Sequence, residues 1–140
     1  MKLQQAMDRV DEMRPNMQSR TLKLDWLSEL DGLIWKEIII RHFMTAEEYA
    51  AYDDRYGKNE AGYFNIPAYD EDTDEGKELL VPFPYDNLYL YWLMAKIDEQ
   101  TLEQDKYNSD RAMFNASYES FSDFWTRNHM PRTRTRELRI

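Results

Sequence analysis

No cysteine occurs in the 140 residues, which excludes a disulfide framework, a thiol nucleophile and a thiolate-held metal. Histidine is nearly absent as well. His42 and His129 stand alone, so a zinc site would have to be completed by carboxylates. The four glycines are dispersed, and no glycine-rich loop is available to cradle a phosphate. Neither GxSxG nor HExxH is present. Long apolar runs are also missing. The longest, from Leu88 to Ala95, falls far short of the roughly 20 residues that cross a bilayer. The opening "MKLQQAMDRVDEMRP" is amphipathic, unlike the apolar core of a secretory leader. These absences lead us to expect a soluble protein made in a cytoplasm, with no membrane contact, no cofactor and no catalytic role.

What is present is enough to build a core. Hydrophobic residues make up 42% of the chain and aromatics 14%, too much apolar content for a disordered chain and the right length for one domain. Charge is divided unevenly. Residues 1–126 carry 13 Lys and Arg against 26 Asp and Glu, a net of −13; residues 127–140 carry five Arg and one Glu, a net of +4. The larger part should repel nucleic-acid phosphates.

Periodicity predicts a mainly all-α chain, a small helical bundle with a long irregular or β-hairpin-like excursion. A first helix is expected over residues 2–13, with Leu3, Met7 and Val10 on one face, ended by Pro15. A longer helix is expected from Thr21 to Phe43, carrying Leu27, Leu30, Ile34 and Ile38 as its stripe. "TAEEYAAYDDRYG" reads as a short third helix, with Thr45 as N-cap, Glu48 completing the box and Gly57 as stop. Its Tyr49, Tyr52 and Tyr56 share a face, which suits packing at the domain edge or stacking on a ligand. Residues 57–84 form the excursion, in which "GYFNIPAY" and "KELLVPF" could be edge strands flanking "DEDTDEG". "PYDNLYLYWLMAKID" is apolar nearly all round and reads as a sandwiched helix. The last helix carries Phe114, Tyr118, Phe121 and Trp125. The polar "EQTLEQDKYNSD" between them implies an antiparallel pair, or else one bent helix.

Candidate chemistry is sparse. Asp70, Glu71, Asp72, Asp74, Glu75 and Glu78 form an acidic loop, but the spacing is wrong for a calcium loop. Counting from Asp70, the sixth residue is Glu75 rather than glycine and the twelfth is Val81 rather than an acid. Carboxylates abound, yet nothing pairs two of them for acid–base work. His42 and His129 each fall near a helix C-terminus, where they complement the dipole. The end of the chain differs. "RTRTRELRI" alternates over Arg132, Arg134 and Arg136 and closes on Leu138, Arg139 and Ile140. When extended, such a segment presents one kind of side chain on each face. On a partner it could add to a sheet edge while its arginines grip carboxylates.

The strings "RTLKLDWLSELDGLIWKEII", "ELLVPFPYDNLYLYWLMAKID" and "KYNSDRAMFNASYESFSDFWTRNHMP" resemble a family of small proteins of tailed bacteriophages and prophages, the head–tail connector (adaptor) proteins of the neck. The likeness spans residues from about 1 to 131 and is strongest over 22–38 and 79–131; residues 44–78 and the chain after Pro131 match least. It implies a helical adaptor domain over 1–131, with its excursion at 57–84, and an extended docking tail over 132–140. It also implies a structural virion protein at the head–tail junction, copies of which form a ring, typically a dodecamer, beneath the portal protein. DNA would pass through the ring without specific binding, on its way to the next neck or tail-completion protein. On this reading Arg132, Arg134, Arg136, Leu138, Arg139 and Ile140 dock on the portal. The acidic loop from Asp70 to Glu78 faces the channel or the next neck component. The alternatives are another neck component, such as a stopper or tail-completion protein, or a non-enzymatic cytoplasmic binding module.

Overall fold

The computed structural model describes residues 1–132, which form five α-helices and one short 3₁₀ turn. Helix α1 spans Leu3–Met13, α2 Arg20–Glu37, α3 Ala46–Tyr56, α4 Leu88–Gln100 and α5 Gln104–Asn128, with the 3₁₀ turn at Ile39–Arg41. The fold is mainly helical, as periodicity predicts.

Each helix follows from its residues. In α1, Leu3, Ala6, Met7 and Val10 are buried on one stripe. Ser19 caps α2 by accepting from the Leu22 amide at 3.1 Å. The α2 stripe of Leu24, Leu27, Leu30 and Ile34 is fully enclosed, and Trp26 and Trp35 cover its flanks. Thr45 and Glu48 close a reciprocal capping box at the start of α3, and Gly57 ends it with a φ of +72°. Leu88, Tyr89, Trp92, Leu93, Met94 and Ile97 bury α4 on nearly every side.

Two expectations are corrected. The long second helix stops at Glu37 rather than Phe43. Ile38, Ile39 and Ile40 follow in a run of β-branched residues, which lose side-chain freedom against a preceding helical turn. The chain tightens there into the 3₁₀ turn and buries Ile38 and Ile39. The two edge strands of the excursion also fail to form: the described residues contain isolated bridges but no strand. A tight loop closes instead over residues 57–65, where Lys58 bridges Phe64. "KELL" turns to the N-terminus, and Leu3 donates to Lys77 O at 2.8 Å while Leu79 donates to Met1 O at 3.0 Å. With a partner of opposite direction already supplied by residues 1–3, the second segment has no need of the first.

Helices α1 and α4 run one way, and α2 and α5 run the other. Met1 meets Asp86 and Arg14 meets Asp98, so α1 and α4 run together. Trp92 Nε1 donates to Trp26 O, and Tyr89 reaches Asp31, so α2 runs against α4. Three residues, Thr101 to Glu103, reverse the chain between α4 and α5, which makes them an antiparallel pair rather than one bent helix. Tyr85 stacks on Phe124 at 4.8 Å where the far ends of that pair meet. The body therefore has two distinct ends. One holds the α1–α2 and α4–α5 turns; the other holds the 3₁₀ turn and the last residues of α5.

Candidate functional site

Between the two ends lies a buried polar centre that periodicity does not announce. Asp31 has no exposed surface. It accepts from the Tyr69 hydroxyl at 2.5 Å, the Tyr89 hydroxyl at 2.6 Å and the Leu80 amide at 3.2 Å. Tyr89 in turn accepts from the Val81 amide at 2.8 Å. Burial raises the Asp31 carboxyl to about 6 against the pull of its three donors. This carboxylate ties the excursion, through Tyr69, Leu80 and Val81, to α2 and α4. Its arrangement is that of a structural rivet: all its donors come from the fold.

The α3 tyrosine face is likewise occupied. Tyr52 packs edge-on against Trp35, Tyr49 stacks on Phe64, and the Tyr56 hydroxyl lies 3.3 Å from that of Tyr69. These rings are spent on packing.

At one end, Arg14 follows α1 and joins Asp98 of α4, with Asp110 of α5 at 3.1 Å. Burial raises the Asp110 carboxyl to about 6, and the neighbouring Asp98 adds to that, against Arg14. Arg14 serves Oδ2 of Asp98; Oδ1 is buried and finds no hydrogen-bond donor among the described residues. Beside it lies a surface depression of about 260 Å³ lined by Asp98, Glu99, Leu102, Glu103, Gln104 and Tyr107. Leu102 is 89% exposed and holds a left-handed φ of 59°.

At the other end the chain leaves α5 and pairs with the segment after the 3₁₀ turn. Phe43 donates to Met130 O and Arg132 to Arg41 O, each at 2.8 Å. The Arg132 guanidinium donates to Tyr49 Oη at 2.5 Å and to His42 O at 3.2 Å, and it lies over the Phe43 ring at 4.6 Å. His129 stacks on Trp125 at 3.7 Å, places Nδ1 2.9 Å from Trp125 O, and meets Glu48 Oε2 at 2.8 Å through Nε2. Burial opposes ionisation of Glu48, but the Thr45 amide and His129 outweigh it and hold the carboxyl below its ordinary range. His42 Nδ1 sits 2.7 Å from Ile38 O. Both histidines thus lie at helix ends, as their positions suggest, and His129 has a carboxylate partner as well.

Of the tail residues, Arg132 belongs to the body. Arg134, Arg136, Leu138, Arg139 and Ile140 lie outside the described residues. The acidic loop folds back over α1 and α2. Glu71 accepts from Thr21 at 2.5 Å and from Arg20 at 2.7 Å, and Glu78 meets the N-terminal amine at 3.3 Å. The Glu75 carbonyl accepts from the Gln4 amide. Asp70 and Asp74 brace their own turns through the amides of Asp72 and Gly76. Asp72 stays on the surface. The loop is brought together with the α1–α2 edge and away from the tail root.

Sequence reasoning missed Asp31, Asp98 and Asp110. A signal existed: Asp31 and Asp98 each interrupt an otherwise apolar helix stripe, one beside Leu27, Leu30 and Ile34, the other beside Met94 and Ile97. An acid on a buried stripe requires a donor elsewhere in the fold. Among the described residues no helix is long and apolar enough to cross a membrane. The chain matches no protein-family model, no curated protein and no solved structure.

Proposed function

We propose that this chain is a structural subunit of a tailed-phage neck, an adaptor whose copies form a ring beneath the portal and extend the DNA channel toward the tail. The observation that carries the reading is the pairing of an acidic helical body with large apolar side chains exposed at both of its ends. Met17 and Leu102 stand at one end, and Phe43, Phe83 and Met130 at the other. Two unlike adhesive ends suit head-to-tail association, which closes into a ring when the rotation permits. The net charge of −13 over residues 1–126 suits a wall past which DNA slides without sticking. Residues 133–140 serve as the arm that joins each subunit to the assembly, starting from the fixed point made by Arg132. On this reading the acidic loop from Asp70 to Glu78 faces the channel or the next neck component.

The test is assembly with the portal protein encoded in the same phage or prophage genome. Mixing the two should shift the portal to a larger species with several copies of this chain per portal. Removing residues 133–140, and leaving Arg132 in place to hold the tail root, should abolish that shift while the helical circular dichroism stays unchanged. A portal that sediments identically with and without the chain would rule the reading out.

A further inference from the structure

The last described residues set off in a defined direction. Phe43 N donates to Met130 O and Arg132 N to Arg41 O, with His42 and Pro131 paired in antiparallel register. A strand running opposite to Arg41–Phe43 carries the residues after Arg132 past Ile40 and toward α2. The backbone pairing cannot continue there. His42 N is given to Ile39 O and Ile38 N to Ile34 O, inside the 3₁₀ turn and the helix. Contact beyond Arg132 therefore falls to side chains.

The outer face of α2 meets that path. Ile40, Glu37, Leu33 and Glu29 follow one another at spacings of three and four, which place them on one side of a helix. Ile40 and Leu33 are large apolar residues left 42% and 40% exposed. Glu37 accepts from the neutral Tyr118 hydroxyl at 2.7 Å, and among the described residues no lysine or arginine forms an ion pair with it. Glu29 has Lys96 at 3.8 Å, longer than a hydrogen bond. The segment that arrives carries the complement. In an extended chain Arg134 and Arg136 share a face with Arg132, whose guanidinium lies over the Phe43 ring at 4.6 Å and so faces the body. The lengths agree as well. From Arg41 back to Glu37 is about 8 Å at the rises of a 3₁₀ turn and a helix, and Arg134 lies about 7 Å beyond Arg132. Glu29 is about 20 Å from Arg41 by the same measure, within the roughly 26 Å that eight extended residues span. Lys36 and Arg41 flank the strip, so ion pairing adds modestly to what chain direction and apolar cover supply.

We propose that in the free subunit residues 133–140 fold back along the outer face of α2 in the same molecule. Arg134 meets Glu37, and Arg136 reaches Glu29 with its aliphatic stem over Leu33. The contact holds the arm on its own body until a partner displaces it, so it competes with assembly. It goes beyond the ring reading and does not depend on it.

The full chain has no cysteine, so a Leu138→Cys variant can carry a single nitroxide and be read by nuclear magnetic resonance. Amides of α2 around Glu29 and Leu33 should broaden in the nitroxide-bearing molecule. A mixture of isotope-labelled chain lacking the nitroxide and unlabelled chain bearing it should show no such broadening. Glu37→Lys should reduce the broadening about three-fold, as expected for one exposed ion pair, and adding Arg134→Glu should restore it. Circular dichroism of each variant checks the fold. Broadening that is absent, confined to other elements or indifferent to Glu37→Lys would overturn the proposal. So would broadening seen in the mixture, which would make a second copy the occupant. Each of these failures leaves the ring reading to its own test with the portal.

Discussion

Asp31 is the residue on which most of the irregular chain depends. Leucine at this position would strip the partner from two tyrosine hydroxyls and one amide, all buried, and should cost about 4 kcal/mol in a denaturant titration. Its pH behaviour follows from burial. The folded carboxyl is raised to about 6, above its unfolded value near 4, so the folded state holds the proton more tightly. Stability from this group therefore rises as pH falls from above 6 toward 4, by up to about 3 kcal/mol, and is flat beyond either limit. Asp31→Asn should remove that slope. The gap between wild type and variant should be smallest at neutral pH and widen toward pH 4, as urea midpoints measured across that range would show. Arg14 poses the opposite problem. Methionine there would leave Asp98 and Asp110 facing each other without a cation, and a loss on the order of 3 kcal/mol is expected, largely recovered when Asp110→Asn is added. Glu71 and Arg20, paired at 2.7 Å on the surface, should matter far less.

At the scale of elements, the turn between α4 and α5 makes the clearest prediction. Leu102→Gly releases the left-handed strain and should raise stability by about 1 kcal/mol, seen as a higher midpoint of thermal unfolding. Thr45→Ala should cost about 1 kcal/mol by opening the α3 cap, and it should also loosen the Glu48–His129 pair behind it. The elements differ in how far the sequence foretells them. The five helices are legible because each carries an apolar stripe of helical period. The end of α2 is less so: the stripe continues through Ile38, and only the β-branched run beyond it stops the helix. The excursion is least legible. Its strands look plausible by composition, but residues 1–3 take the hydrogen bonds of 77–79, and no local pattern encodes a partner that distant. The candidate site was half visible for the same reason. The arginine-rich tail stands out in sequence, whereas the cluster of Arg14, Asp98 and Asp110 is assembled from α1, α4 and α5, and the sequence shows Asp98 only as an acid on an apolar stripe.

For the whole molecule, the unlike ends of the bundle and the division of charge carry the account. The chain exposes Met17 and Leu102 at one end and Phe83 and Met130 at the other, two unlike surfaces for the proposed assembly. On that reading the body's acidity suits the wall of a DNA channel. The central claim is that copies of this chain assemble head to tail on the portal. Electron cryomicroscopy of the chain mixed with its portal tests this most directly. The account predicts an added ring of identical helical subunits, neighbours touching one another, with the open channel passing through the centre. A portal with no added ring, or one bearing isolated copies that do not touch each other, would contradict it.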